Sequence, residues 1–190
     1  MQHTKKKMLT LSLFIAASLT GFNQGAFADT TAKTTISAHI VGGSCDISVP
    51  ATVAFGEIQA ADITSTSDIS KPFDLTLTGC NGYGLTPSIT VSGDVDQTSG
   101  ADLFVTTAAT TSSGYGILLS TEGNTNFDKN DNLATNKVIK ALGNDWNTKM
   151  AETLNGTIPL KAVVSCGDCV ANTLQGGELS AAITFNFAYK

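Results

Sequence analysis

The sequence predicts an all-β sandwich. Apolar residues recur at every second position in short runs, a period that places them on one face of a strand. Clusters of Gly, Asn, Asp and Ser separate these runs at the spacing of sheet turns. Long helical periodicity is nearly absent. Together these features predict strands over 34–41, 46–55, 72–79, 86–92, 102–107, 115–120, 136–142, 157–165 and 179–189, without a second domain.

The chain opens on a targeting segment. Lys5, Lys6 and Lys7 form a basic stretch, Met8 to Leu19 is a short apolar run, and Ala26-Phe27-Ala28 is a cleavage signal of small residues. The run is too short for a membrane span. Cleavage after Ala28 is expected, so 1–28 is read as a signal peptide and the mature chain starts at Asp29. Three of the 11 basic residues leave with the signal, all 16 acidic ones stay, and the chain has no Arg. An acidic surface without Arg argues against nucleic-acid binding.

The next segment is polar to Lys33. Thr34, Ile36, Ala38 and Ile40 then alternate with Thr35, Ser37, His39 and Val41, giving an arm over 29–41 that is competent to form a strand. The middle of the chain supplies the runs of the sandwich. Glu122 to Asn136 is rich in Gly, Asn and Asp and reads as a loop. Around Trp146 the sequence fits either a short helix or a strand edge. The final run places Ile183, Phe185, Phe187 and Tyr189 on one face and Ala182, Thr184, Asn186 and Ala188 on the other. A long alternating strand of this kind needs a partner, from its own fold or from another chain.

Four cysteines in an exported chain read first as two disulfides, with three connectivities open. Spacing favours Cys45 with Cys80 and Cys166 with Cys169. On the chain-entropy model the first is worth ~4 kcal/mol and the second ~2 kcal/mol. Cys166-Gly167-Asp168-Cys169 also allows a thiol-disulfide redox pair. That chemistry wants a low-pKa thiolate at a helix start, whereas this motif follows an apolar strand and holds an Asp that raises a thiolate pKa. A turn-closing disulfide is therefore preferred over redox or metal chemistry. No metal site is expected, because His39 is the single histidine after the signal. No catalytic residue is assigned, because nothing places a serine beside that histidine. Asp128-Lys129-Asn130-Asp131-Asn132 has the start of a calcium loop, but Leu133 and Ile139 stand where the pattern needs Gly and Glu.

Several pieces, in order, resemble a known family. Cys45 follows the arm closely, and Phe73-Asp74-Leu75-Thr76-Leu77-Thr78-Gly79-Cys80 matches a pattern of the form F-x-L-x-L-x-x-C. Phe55-Gly56-Glu57-Ile58, Gly114-Tyr115-Gly116-Ile117-Leu118-Leu119 and Asn155-Gly156-Thr157-Ile158-Pro159-Leu160-Lys161-Ala162 also match family segments. Tyr189 is penultimate, and Gly177 lies fourteen from the C-terminus. In these features the chain resembles the chaperone–usher fimbrial subunits of the type 1-like pilin group, over essentially the whole mature sequence. Ala38 stands where family arms usually carry Gly, and the Cys166–Cys169 pair is outside the general pattern.

The resemblance implies an incomplete immunoglobulin-like β-sandwich, the pilin fold, over 42–190, completed by a donor strand from another subunit. It implies a non-enzymatic structural subunit of a surface fimbrium, exported through the periplasm and supporting bacterial adhesion. The implied partners are a periplasmic chaperone, an outer-membrane usher and neighbouring pilins, with no cofactor. Thr34, Ile36, Ala38 and Ile40 would be the arm residues entering a neighbour's groove. Gly177, Ile183, Phe185, Phe187 and Tyr189 would flank the chain's own groove, and the Lys190 carboxylate would meet basic chaperone residues. The competing function is a periplasmic thiol-disulfide protein using Cys166 and Cys169.

Overall fold

The computed structural model describes residues 34–38, 43–64, 69–143, 146, 151–170 and 173–190. Contacts divide the chain into Met1–His39 and Ile40–Lys190. Of the first unit, residues 34–38 are described; they are exposed and lie in no helix or strand, with Ile36 91% exposed. Ile40 and the end of the expected arm strand lie outside the described residues.

The second unit is two antiparallel sheets. The larger runs in the order β1-β2-β8-β6-β5-β4, from strands β1 (Asp46–Ser48), β2 (Ser70–Thr78), β4 (Val95–Asp96), β5 (Leu103–Phe104), β6 (Gly116–Thr121) and β8 (Gly156–Ser165). The smaller runs β7-β3-β9, from β3 (Pro87–Ser92), β7 (Val138–Lys140) and β9 (Thr184–Tyr189). The alternation read from the sequence sets the faces: Leu75 and Leu77 of β2, Ile89 and Val91 of β3, Ile117 and Leu119 of β6, and Ile158 and Leu160 of β8 all point into one core.

Two prolines sit where the ladder allows them. β1 pairs only with Thr76–Thr78 of β2, so among the described residues the sole neighbour of β2 at Pro72 is β8. β6 reaches β8 only as far as Leu160, so among the described residues the sole neighbour of β8 at Pro159 is β2. A residue without an N–H is tolerated where one side of the strand is free. The freed Pro159 carbonyl accepts from Thr121 Oγ1 at 2.7 Å.

The expected loop 122–136 is more ordered than its composition suggests. Phe127 is buried in the core, and a short helix, α1 (Leu133–Asn136), begins at Asn132, whose side chain accepts from the backbone N–H of Ala134 and Thr135. This is an ordinary N-cap. Trp146 is 2% exposed and belongs to the core. Its indole N–H donates to the Leu142 carbonyl at 3.2 Å.

Two expected strands are shorter than their alternation. The first, 46–55, pairs only as β1. The last, 179–189, pairs with β3 only from Thr184. In both cases the burial still alternates in the unpaired part, at Val53 and Phe55 and at Ala181 and Ile183, and the two parts line the same space.

Candidate functional site

The unpaired parts of these two segments form the walls of an open groove of about 1180 Å³. One wall is the stretch 49–60 after β1, which is in no strand until a single helical turn at Ala60–Asp62. The other is 176–185, leading into β9. Tyr115, Ile117 and Leu119 of the β6 segment and Ala162 and Val164 of β8 line its apolar floor. These floor residues are themselves 0–8% exposed, so the groove is open along its half-buried walls and not at its floor.

The C-terminal wall is held from behind. Gln175 and Ser113 exchange backbone hydrogen bonds at 3.0 and 3.1 Å. The Glu178 carbonyl accepts from Thr111 N at 2.9 Å and Ser112 N at 3.1 Å, and the Ser180 carbonyl accepts from Thr106 N at 2.7 Å. From Thr184 onward β3 takes over this role, and β9 ends its sheet. The groove side of this wall thus has no ladder among the described residues. Its inward row of Leu179, Ala181, Ile183 and Phe185 packs on the core but is only partly buried. On the facing wall Phe55, Ile58 and Ile63 are likewise partly buried against the core. Half-buried apolar rows beside an unpaired strand edge are the features of a surface awaiting another strand.

Past Phe185, the inward row continues as Phe187 and Tyr189, whose rings meet edge-on at 4.9 Å. The Tyr189 hydroxyl donates to the Asn81 carbonyl at 3.3 Å and lies 3.5 Å from Cys45 Sγ. Burial, and then the negative charge of Glu152, hold its pKa above the ordinary tyrosine value. Cys45 is bonded to Cys80, with Cα atoms 4.1 Å apart, which ties the start of β1 to the end of β2. The Lys190 backbone is fixed by paired bonds with Thr86, at 2.8 and 3.3 Å.

The structure therefore gathers Gly177, Ile183 and Phe185 at the groove and leaves Phe187, Tyr189 and Lys190 outside its lining. Thr34, Ile36 and Ala38 belong to the separate first unit. Sequence reasoning missed the facing wall, 49–60, because its alternating residues look like a continuing strand.

Cys166 and Cys169 are bonded, with Cα atoms 4.8 Å apart. Cys166 is 1% exposed at the end of β8, and the Cys169 N–H closes a turn onto the Cys166 carbonyl at 2.8 Å. Among the described residues no α-helix starts after this turn. A buried sulfur with no helix start beside it is poorly placed for thiolate attack.

A family model described as Fimbrial protein matches residues 33–190. The chain belongs to the fimbrial protein family. It is a structural subunit of a fimbria, and the thiol-disulfide alternative is not favoured. Among solved structures, the chain is similar to the P pilus rod subunit PapA, with 18% identity and a TM-score of 0.49, over 83% of this chain and 99% of that one. It is also similar to a chain of a chaperone-usher pilus whose structure concerns rod uncoiling, with 17% identity and a TM-score of 0.47, over 88% of this chain and 100% of that one. No curated protein matches the chain.

Proposed function

We propose that this fimbrial subunit polymerises by donor-strand addition within a chaperone–usher pathway. The observation that carries the reading is the groove, an apolar floor between two half-buried walls with no ladder between them among the described residues. Its C-terminal wall spans 176–185, a length that takes about nine or ten extended residues. The arm 29–41 of a neighbouring copy supplies a segment of that size. Thr34, Ile36, Ala38 and Ile40 face the floor, and the two Ile side chains contribute about 1.5–3 kcal/mol each. Main-chain hydrogen bonds to the walls add affinity that does not depend on side chains.

Before assembly, a periplasmic chaperone fills the groove with a strand of its own, and the Lys190 carboxylate meets its basic residues. At the outer-membrane usher the arm of the next subunit replaces that strand. Residues 1–28 direct export and are removed, and 42–190 form the pilin domain. The finished fimbrium stands on the cell surface and supports adhesion.

Deletion of 29–41 tests this reading. The shortened chain is expected to bind a chaperone and to accept a synthetic arm peptide, yet never to enter another subunit's groove. A shortened chain that still inserts into a neighbour would refute the assignment of the arm.

A further inference from the structure

The turn Cys166–Cys169 sits where three parts of the groove meet, and a role for it there rests on the donor-strand reading. Val164, just before Cys166 on β8, lines the floor. Ile63 follows the helical turn that ends the facing wall and lines the groove as well. Its carbonyl oxygen lies 3.7 Å from Cys166 Sγ. After Cys169 the chain runs on into the C-terminal wall, whose lining starts at Gly176. One disulfide thus touches the floor strand, the end of one wall and the approach to the other.

The turn itself is fixed by backbone fit. The Gly167 N–H donates to Ser165 Oγ at 3.1 Å, and the Asp168 N–H donates to the Ser99 carbonyl at 2.6 Å. A Cβ at Gly167 would run into that same carbonyl, and a Cβ at Gly100 would run into the Asp168 carboxylate. The turn and the loop at 99–100 therefore interlock through two glycines. The loop is in turn held by the Asp96 carboxylate, which accepts from Thr98 N at 2.8 Å and Ser99 Oγ at 3.1 Å. Within the turn Cys169 has a φ of +53°, a left-handed conformation that residues with a side chain seldom adopt. The other such residue among those described, Lys137, is a helix C-cap. Cys169 caps no helix; it is bonded to Cys166.

We infer that the Cys166–Cys169 disulfide is a positioning element for the groove, keeping Cys169 in its left-handed turn and so setting where the C-terminal wall starts relative to β8 and Ile63. A bridge that closes so short a loop removes less chain entropy than one closing a long loop, so local geometry is its larger effect. A wall set in advance receives a strand without rearranging, which slows the strand's escape.

The test is release of a labelled peptide spanning residues 30–42 from the chain after excess unlabelled peptide is added. Wild type is compared with two double variants, Cys166→Ser with Cys169→Ser and Cys166→Ser with Cys169→Gly. Both lack the bridge, but glycine enters the left-handed region freely and serine does not. The Ser/Ser variant is expected to release the peptide about 10-fold faster, and the Ser/Gly variant to stay within about 3-fold of wild type. Trp146 fluorescence checks that each protein is folded. Release from Ser/Ser at the wild-type rate overturns the inference and leaves the bridge a brace for stability alone. Release from Ser/Gly as fast as from Ser/Ser overturns it too, because the turn conformation is then not what matters. If Ser/Ser does not fold, Ser/Gly decides: release near the wild-type rate supports the inference and release about 10-fold faster overturns it. A wild-type chain that takes up no peptide refutes the donor-strand reading itself.

Discussion

Two adjacent glycines on the C-terminal wall should respond in opposite ways to the same substitution. A Cβ added at Gly177 would lie 2.8 Å from both Ser112 N and Thr111 Oγ1, whereas one added at Gly176 would meet nothing within 4 Å. Gly177→Ala must therefore push the wall off the segment behind it. The bonds at risk are the two that the Glu178 carbonyl accepts, at 2.9 and 3.1 Å, and the one its N–H donates to Thr111 Oγ1, at 2.9 Å. Each is worth about 0.5–1.5 kcal/mol net. Overpacking of this kind typically costs about 1–3 kcal/mol. Loss of two of the three bonds gives about 2 kcal/mol, which lowers a urea midpoint by roughly 1 M for a domain of this size. Gly176→Ala should be neutral, or stabilising by about 0.4–1 kcal/mol through the unfolded chain. The chain has a single Trp, and Trp146 is 2% exposed, so its fluorescence reports unfolding directly. Urea titrations of the peptide-complemented chain would measure both variants. Equal midpoints for the two, or an unchanged midpoint for Gly177→Ala, would refute the claim that the wall is held from behind at this point.

An arm peptide with Ile36→Asp should bind at least ~10-fold more weakly, because it loses about 1.5–3 kcal/mol of apolar burial and gains a charge that must be desolvated; competition against the unmodified peptide measures this. Replacing Cys166 and Cys169 together by Ser should cost about 2 kcal/mol in urea unfolding, and the wild-type chain should show no insulin-reductase activity. Tyr189→Phe should lose the bond to Asn81 and also flatten the alkaline end of the stability profile. Because the folded state holds the Tyr189 pKa above its ordinary value, the unfolded chain releases this proton first. The wild-type contribution is thus full below about pH 10 and falls as pH rises beyond it, a loss the Phe variant lacks. Unfolding of the two proteins across that range checks the sign.

Much of the sandwich was legible because its faces obey a period of two. β2, β3, β6 and β8 fall close to their expected places for that reason. β4 (Val95–Asp96) is too short to carry a pattern, and the core position of Phe127 depends on tertiary contacts that a polar loop sequence conceals. The groove was only half legible. The alternation from Ile183 to Tyr189 showed that the C-terminal strand wants a partner. It could not show that the neighbour absent from the sheets lies between this strand and 49–60, because an extended segment reads the same whether or not it is paired.

The central claim is that the sandwich lacks one strand and receives it from another chain. Its most direct test is recovery of the chain from the periplasm with and without a fimbrial chaperone, then challenge with a peptide spanning residues 30–42. A sandwich short of one strand should be recovered as soluble protein only in a one-to-one complex with the chaperone, and the peptide should displace the chaperone. A stable monomer recovered alone, indifferent to both chaperone and peptide, would contradict the claim.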